Sequence, residues 1–367
     1  MIRFSSFILI FFIACSSPEK TENKSEEPTH FVEIHNDYAK GFKILQYPDY
    51  KVFKVFDLNQ GFSEIHRFQV GGEAKEKHHF EAYPKTVACN STTQTSYLAK
   101  LDLANQLIAT SWPELIMNQD VKKQIEKGEC QSLGANGEID LEIALSLDPD
   151  ILMVYPYENL SFERYEQAGL DLVYTTTYQE EHPLAKAEWI RFFGHLFGEE
   201  EKADSIFKTI EGDYTLYQGT ASFFSEKPKV FTGSFLNGQW YAPGANSSAV
   251  QSIKDAGAEY VFEDIGQKGN VQLDFEVMLE KCAEADFYGK LVSDILEVQN
   301  IEQQEERLSH LKSIQEGGVF YCNTSESDYF GDALLEPHEI LADLISIFHP
   351  EVKREEFKYF KPISIEN

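Results

Sequence analysis

Two stretches early in the chain alternate apolar and polar residues. They are Lys51 to Asp57 and Phe62 to Val70, both rich in Val, Phe and Ile, and Leu58-Asn59-Gln60-Gly61 separates them. Because successive side chains of a strand point to opposite faces, a period of two predicts two strands joined by a turn. The sequence therefore predicts a β-hairpin at the front of the folded region.

From Lys85 onward, short apolar runs alternate with segments of helical periodicity. The predicted strands of the first half are Thr86 to Cys89, Leu107 to Thr110, Ile151 to Tyr155 and Leu170 to Thr175. The predicted helices are Thr93 to Asn105, Asp120 to Lys127, Leu141 to Leu147 and Phe162 to Ala168. Strands that alternate with helices predict an α/β lobe with a mostly parallel sheet.

The second half repeats this alternation. Its predicted strands are Lys229 to Gly233, Tyr260 to Phe262, one near Phe287, and Val319 to Asn323. Its predicted helices are Ser248 to Ala256, Phe275 to Ala285, Glu302 to Leu311 and Pro337 to Phe348.

A helical pattern without strands connects the two halves. Pro183 suits a first-turn position, and apolar residues recur at helical spacing from Ala187 to Ile210, which predicts one helix over 183–218 with a bend at Gly198. We therefore predict an α/β chain of two Rossmann-like lobes with mostly parallel sheets, joined by one long rigid helix. The lobes are 31–182, which includes the hairpin, and 219–367.

The first residues read as an export signal. A basic start, Met1-Ile2-Arg3, precedes an apolar stretch from Phe4 to Ile13 that is too short to span a bilayer, and then Ala14-Cys15-Ser16. The ending resembles the lipobox of bacterial lipoproteins, in which the cysteine is acylated, although Phe12 stands where an aliphatic residue is usual. The alternative is an ordinary cleaved signal with a chance cysteine.

The segment 16–30 contains no apolar residue to bury, so we predict a flexible tether there. Beyond it, a composition of 42% hydrophobic residues predicts a folded protein. The 61 acidic and 32 basic residues give a net charge of -29, which argues against a nucleic-acid partner.

Four cysteines lie beyond Cys15. In an oxidising location they could form two disulfides, and the simplest pairing joins Cys89 to Cys130 and Cys282 to Cys322. Free buried thiols are the alternative. Neither the cysteines nor the histidines have the spacing of a zinc site.

A short internal repeat relates the two halves. Asp140-Leu141-Glu142-Ile143-Ala144-Leu145 matches Asp274-Phe275-Glu276-Val277-Met278-Leu279, and each copy leads to an aspartate, Asp150 or Asp286, that opens a strand. Good helix chemistry is one interpretation, since the first Asp suits an N-cap and the Glu a first turn. The other is that each lobe presents one carboxylate to a symmetric partner.

The order and spacing of several motifs resemble the substrate-binding proteins of ABC importers for iron-siderophore complexes, haem and cobalamin. The resemblance runs from about Tyr83 to Ile363. It rests on these motifs: Pro84-Lys85-Thr86-Val87-Ala88-Cys89 with Ser91-Thr92, Leu147-Asp148-Pro149-Asp150-Ile151-Leu152, Trp240-Tyr241-Ala242-Pro243-Gly244, Asp255-Ala256-Gly257-Ala258, Ala283-Glu284-Ala285-Asp286, and Ile340-Leu341-Ala342-Asp343-Leu344.

The resemblance implies a receptor without chemistry or a resident cofactor. It would capture an iron-siderophore, haem or cobalamin ligand between its lobes and deliver it to permease subunits and their ATPase. Glu142 and Glu276 would dock on those subunits, and the lipid on Cys15 would hold the receptor at a membrane of the cell envelope.

Candidate ligand contacts follow from the ends of the predicted strands, where such clefts are lined. The first lobe offers Ser91, Thr92, Thr93, Trp112, Tyr155 and Tyr157; the second offers Phe235, Asn237, Trp240, Tyr241, Asp328, Tyr329 and Phe330. For each of these residues, packing inside a lobe is an equal alternative.

The second hypothesis is an exported α/β enzyme, such as a hydrolase, that uses the same cleft. The sequence contains no G-x-S-x-G elbow, no phosphate loop, no H-E-x-x-H and no Rossmann glycine fingerprint after a strand, which favours the binding protein.

Overall fold

The structure is a computed structural model that describes residues 30–134, 137–157, 161–265, 268–299 and 306–363. The predicted signal, Cys15 and all of the tether except His30 lie outside the described residues. Within the described ranges, no helix has the length and apolar character needed to cross a bilayer.

A five-stranded sheet precedes the first lobe. Its strands follow the order β1-β2-β3-β4-β5 and are antiparallel except for the parallel pair β4 and β5. Their bounds are β1 Val32–Ile34, β2 Phe42–Gln46, β3 Lys51–Asp57, β4 Ser63–Val70 and β5 His78–Phe80. The predicted hairpin is confirmed as β3 and β4, and it forms the centre of a larger sheet that its flanking sequence did not reveal.

The first lobe is built on a parallel sheet of order β10-β9-β6-β7-β8. The strands are β6 Val87–Cys89, β7 Leu107–Thr110, β8 Gln131–Ser132, β9 Ile151–Val154 and β10 Leu172–Tyr174. The helices between them are α1 Thr92–Lys100, α2 Gln119–Lys127, α3 Leu141–Leu147 and α4 Glu163–Gln167. Short 3-10 turns lie at Ala104–Gln106, Pro113–Leu115 and Thr177–Gln179.

The second lobe has a sheet of order β14-β11-β16-β17-β18, parallel except for β18. Its strands are β11 Lys229–Thr232, β14 Glu259–Tyr260, β16 Phe287–Val292, β17 Val319–Asn323 and β18 Lys361–Pro362. Its helices are α7 Ser248–Asp255, α8 Phe275–Cys282, α9 Leu296–Gln299, α10 Lys312–Gln315 and α11 Pro337–Phe348, with 3-10 turns at Glu306–His310 and Asp332–Leu335. The α/β class with mostly parallel sheets is therefore confirmed.

A small antiparallel sheet in the second lobe was not predicted. It consists of β12 Ser234–Leu236, β13 Gln239–Pro243 and β15 Asn270–Asp274, in that order. It lies between β11 and α8 along the chain and carries several of the candidate site residues.

The connection between the lobes differs from the prediction of one helix. It consists of two helices, α5 Pro183–Phe197 and α6 Glu200–Ala221, and Gly198 between them adopts φ 78°, where the chain leaves the helical path. The helices fold back on each other: Arg191 bonds to Asp204, 2.8 Å away, and the ring of His182 lies 6.0 Å from that of Tyr214. The linking element is thus a helical hairpin.

A buried carboxylate on this hairpin, that of Glu188, holds the leading sheet in place. Glu188 is fully buried, and its carboxylate accepts backbone N–H bonds of 2.7–2.8 Å from Asp37, Tyr38 and Ala39. Its charge is matched by Arg191, at 2.6 Å. Because a buried charge is tolerated only when it is paired and hydrogen-bonded, this cluster, the Glu188 clamp, fixes the chain between β1 and β2 firmly onto α5.

The internal repeat is also present in three dimensions. Asp140 caps α3 by accepting N–H bonds from Glu142 and Ile143, and Asp274 caps α8 in the same way. Asp150 then binds the backbone N–H groups of residues 85 and 86, which precede β6, and Asp286 binds that of residue 229, which begins β11. Each aspartate therefore joins two strands of its own lobe.

All four cysteines of the described chain are free and buried. The predicted pairing of Cys89 with Cys130 and of Cys282 with Cys322 is therefore wrong for this structure, and the alternative of free thiols holds.

Candidate ligand-binding cleft

A cavity of about 580 Å³ lies where the two lobes meet, within the range of small-molecule sites. The first lobe and the beginning of α5 contribute Thr93, Thr177, Tyr178, Pro183 and Lys186. The second lobe contributes the larger wall: Thr232, Gly233, Ser234, Tyr241, Pro243, Ser248, Ala249, Ser252, Ile253, Asn270, Gly289, Lys290, Leu291, Phe320, Tyr329, Phe330, Ala333, Leu334, Pro337, Ile340, Leu344 and Phe360. The lining is mostly apolar, with hydroxyl groups, one amide and two ammonium groups.

Close packing of β16 against β17 shapes the floor of the cavity. A β-carbon on Gly289 would lie 2.4 Å from the ring of Phe320, so only glycine lets the two strands approach with the ring in this position. The ring then faces the cavity from the second lobe.

Four of the predicted ligand contacts line this cavity: Thr93, Tyr241, Tyr329 and Phe330. Phe330 is 58% exposed and Tyr241 36% exposed, so aromatic surface is available to a ligand. Thr93 also contacts the opposite lobe, because its hydroxyl donates a 2.9 Å hydrogen bond to the carbonyl oxygen of Phe330. The remaining predicted residues lie elsewhere.

Three tyrosines form a cluster at the first-lobe side of the cleft. The rings of Tyr155 and Tyr157 lie 6.0 and 5.8 Å from that of Tyr178, whose hydroxyl donates to the carbonyl oxygen of Pro156. Tyr155 and Tyr157 do not line the cavity themselves, whereas Tyr178 does. Tyr178 was missed because it follows β10 within a 3-10 turn that the sequence pattern did not indicate.

Ser91 and Thr92 form the amino-terminal end of α1, the helix that follows β6. Ser91 is the N-cap of α1 and accepts from the N–H of Thr93, at 3.3 Å, while Thr92 begins the helix. Trp112 packs against the loop at Gly137, where an added β-carbon would lie 2.1 Å from the indole. None of the three lines the cavity.

Three candidates on the small sheet of the second lobe also have local roles. Trp240 is fully buried among Phe231, Phe275 and Tyr288 and does not line the cavity, so for this residue the alternative of packing inside the lobe holds. Phe235 packs on Phe275 with ring centroids 4.4 Å apart, and it does not line the cavity.

Asn237 is exposed at the turn between β12 and β13, at φ 52°, followed by Gly238 at φ 82°. Such a pair is the usual two-residue hairpin turn. The Asn-Gly pair in the sequence is a signal for such a turn, but the sequence analysis interpreted Asn237 as a ligand contact in the cleft.

Asp328 lies at the contact between the lobes. A β-carbon on Gly331 would lie 2.4 Å from the Asp328 carboxylate and 2.6 Å from the Ser96 hydroxyl of α1, so this segment passes close to the first lobe. Burial, and then the negative charge of Asp332, raises the pKa of Asp328 to about 6. The residue therefore helps to form the lobe junction beside the cavity.

Two lysines that the sequence analysis did not single out, Lys186 and Lys290, line the cavity. Burial lowers the pKa of Lys186 to about 8, with the carboxylate of Glu180 acting in the opposite direction. Burial also lowers the pKa of Lys290, which is 7% exposed and whose Nζ lies 3.8 Å from the Glu297 carboxylate. Lysine is common on surfaces, so its type alone gave no signal.

The two glutamates of the internal repeat are exposed in the first turns of α3 and α8. Glu276 pairs with Arg307, whose guanidinium also lies over the ring of Phe275, at 4.4 Å. For Glu142, the described residues supply no such cation. Neither glutamate lines the cleft, which agrees with separate surfaces for the ligand and for a partner.

Across the described ranges, no group of three or more His, Cys, Asp and Glu side chains is arranged to hold a metal ion.

Comparison with known proteins places the chain. A solved haem-binding periplasmic protein of Pseudomonas aeruginosa is 15% identical, with a TM-score of 0.62 over 77% of this chain and 99% of that chain. A solved protein of an ABC-type Fe3+-hydroxamate transport system of Saccharomonospora viridis is 14% identical, with a TM-score of 0.57 over 72% of this chain and 94% of that chain. At these identities the likeness concerns the fold.

Among curated proteins, an uncharacterized lipoprotein of Methanocaldococcus jannaschii is 25% identical over 255 residues, or 68% of this chain. The match spans 60% of that relative's length. The periplasmic binding protein family matches residues 87–325, which is more than half of the chain. The chain belongs to the periplasmic binding protein family.

Proposed function

We propose that this chain is the substrate-binding component of an ABC importer and captures an iron complex, either a siderophore complex or haem, or else a corrinoid. The observation that carries the proposal is the mostly apolar cavity of about 580 Å³ to which both lobes contribute. A bulky ligand held there would be released to a permease and its ATPase when the lobes are separated. Two of the structural relatives are named for haem and for Fe3+-hydroxamate, which supports this ligand class.

The surface glutamates support delivery to a permease. Glu142 and Glu276 occupy equivalent places in the two lobes, each in the first turn of a helix that an aspartate caps. Two equivalent carboxylates suit a partner made of two similar subunits that carry arginine or lysine. Exposed ion pairs of this kind orient a complex more than they stabilise it.

The lipid anchor is part of the proposal. A cysteine that follows a signal-like stretch, and lipoproteins among the relatives, support acylation of Cys15. The tether 16–30 would then confine the receptor near the permease and raise its local concentration there.

The cavity gives no support to a hydrolase. Its described lining contains hydroxyl and ammonium groups but no carboxylate, imidazole or thiol, so no imidazole or carboxylate of the lining is there to activate a serine hydroxyl. We therefore propose a receptor that performs no chemistry.

Calorimetric titration of the purified protein with ferric siderophores, haemin and cobalamin tests the proposal. We expect one of these classes to bind with a dissociation constant below about 1 μM, since such a site buries most of its ligand. If all three classes fail to bind, the proposed function is wrong. Turnover of ester or glycoside substrates that is lost on changing a residue of the cleft would favour the enzyme.

A further inference from the structure

We propose that the ligand is an anion with a largely apolar body, whose negative groups are bound by Lys186 from the first-lobe side and Lys290 from the second lobe. This inference rests on the proposed binding function and specifies the charge of its ligand. It follows from the two lysines, from the apolar wall beside them and from the net charge of the protein.

Lys186 lies in the first turn of α5 and lines the cavity. The described chain places no carboxylate within ion-pair distance of its ammonium group. Removing an ammonium group from water without such a partner is unfavourable, and an anionic ligand beside it would offset that cost. Lys186 is therefore better suited to the ligand-bound state than to the empty cleft.

Lys290 reaches the same cavity from β16, on the opposite side. Its Nζ lies 3.4 Å from the carbonyl oxygen of Glu297 and 3.8 Å from the carboxylate oxygen Oε2 of the same residue. The other carboxylate oxygen, Oε1, accepts from the N–H and hydroxyl of Ser293 and from the N–H of Asp294. The positive charge of Lys290 lies at the cavity wall whatever its neighbours, and it attracts a negative group that enters the cleft.

The surroundings of the two lysines define the rest of the ligand. Phe320, Tyr329, Phe330, Ile253, Leu291 and Leu334 form an apolar surface along the second-lobe wall. Such a surface favours a flat or bulky apolar body, because its burial against these side chains removes apolar area from water. The ligand that fits both features is amphiphilic.

The overall charge of the chain makes this local chemistry more informative. At a net charge of -29 the protein repels anions on average, so an anionic ligand needs cations at the site itself. A cationic or neutral ligand would form no ion pair with the two cavity lysines and would still displace water from them. The charged side chains of the cavity lining are positive, whereas the protein as a whole is negative.

Four probes of different charge test the inference by calorimetry at pH 7. Haemin carries two carboxylates on an apolar macrocycle, and a ferric tricatecholate complex is a trianion; a ferric trihydroxamate bearing an ammonium group is a cation, and cyanocobalamin is neutral. We expect one of the two anions to bind most tightly, and which of them binds distinguishes carboxylate from catecholate chemistry.

Substitutions then connect the affinity to the lysines. We expect Lys186→Gln and Lys290→Gln each to weaken the anion about tenfold or more, the usual worth of a buried charged hydrogen bond. Lys186→Arg keeps the charge and should bind the anion nearly as tightly as the wild type. Lys254→Gln is the matched control, because Lys254 pairs with Glu263 away from the cavity lining.

The outcomes are distinguishable. If the cation or cyanocobalamin binds most tightly, or if both glutamine variants keep wild-type affinity for the anion, the inference is overturned while the proposed function stands. If no probe binds, both fall. Should Lys186→Gln fail to fold, Lys290→Gln and Lys186→Arg still decide the question.

Discussion

The hydroxyl of Thr93 donates a 2.9 Å hydrogen bond to the carbonyl oxygen of Phe330 and so joins helix α1 of the first lobe to the cleft wall of the second. Two turns further along the same helix, the ammonium group of Lys100 lies 3.9 Å from the Glu336 carboxylate of the second lobe. Helix α1 is therefore a contact through which the lobes meet beside the ligand cavity, and its strength should affect how readily the cleft opens.

Thr93→Val should accelerate ligand release. The substitution removes a hydrogen bond worth about 0.5–1.5 kcal/mol, which corresponds to a factor of roughly 2–10 in the rate of dissociation. Stopped-flow displacement of the bound ligand measures that rate. Thr93→Ser retains the hydroxyl and serves as control; an unchanged rate in the valine variant would show that the bond does not limit opening.

Docking and ligand binding should separate on mutation. We expect Glu142→Arg combined with Glu276→Arg to leave ligand affinity unchanged and to abolish uptake in cells that carry the importer, because the reversed charges repel a basic permease surface. Glu163→Arg and Glu280→Arg, at exposed positions on α4 and α8, are the matched controls and should permit uptake. A fall in ligand affinity in the double variant would contradict the docking role.

Ligand affinity should decrease as the pH rises above about 8. In the empty cleft the pKa of Lys186 is lowered to about 8 by burial, opposed by Glu180, and the proposed ligand requires the charged form. Lys186→Arg stays charged and should flatten the profile between pH 7 and 9.5. Calorimetry at several pH values measures the effect, and an identical slope in wild type and arginine variant would exclude Lys186 as its source.

The same lysine should have the opposite effect on the stability of the empty protein. Because its folded pKa lies below the ordinary value of 10.5, the unfolded chain binds more protons between about pH 8 and 10.5, and this contribution to stability rises with pH. Lys186→Met should therefore stabilise the empty protein at pH 7, by about 1 kcal/mol or more. Denaturant unfolding of both proteins at pH 7 and 9.5 checks the sign.

The contribution of Asp328 to the stability of the folded protein should decrease as the pH rises through 6. Its folded pKa is raised to about 6 from the ordinary 3.8, so the folded protein binds more protons in this window and gains stability as the pH falls from above 6 toward 4. Asp328→Asn should remove this part of the pH dependence. Thermal unfolding at pH 4.5 and 7.5 provides the comparison, and an equal shift in both proteins would assign the effect to other groups.

The four cysteines should be unreactive in the folded protein. All are buried, and burial raises the pKa of Cys130 and Cys322 to about 12, which leaves almost no thiolate at neutral pH. A thiol reagent should modify these four thiols only after denaturation without reductant. Fewer than four reactive groups in the denatured chain would restore the disulfide hypothesis.

Local patterns predicted the frame of the fold well. Helix α3 and strands β7 and β17 begin and end where the pattern places them, since each combines an apolar run with a clear boundary such as the Asp140 cap. Gly198 was interpreted as a bend, but at φ 78° it ends α5 and lets α6 turn back. Only the packing of the two helices on each other distinguishes a bend from a reversal.

The site was predicted less completely, for a physical reason. An aromatic side chain after a strand can face a ligand or a core, and Phe330 and Trp240 have these two fates although both follow the same rule. Lys186 escaped notice because its importance depends on its place in the cavity lining, with no carboxylate of the described chain within ion-pair distance, a property that no linear pattern contains. Residues such as Thr93 that touch both lobes were found because they begin a helix directly after a strand.

The Glu188 clamp also determines how the molecule bears tension. A pull on the chain at Val32 would peel β1 from β2 one hydrogen bond after another, since the strands are antiparallel and β1 lies at the edge of its sheet. The peeling would stop at Asp37, where a buried carboxylate holds three consecutive backbone groups to α5. A force applied from the amino-terminal side would thus be transmitted to the helical hairpin after β1 separates and before strands β2 to β5 come apart.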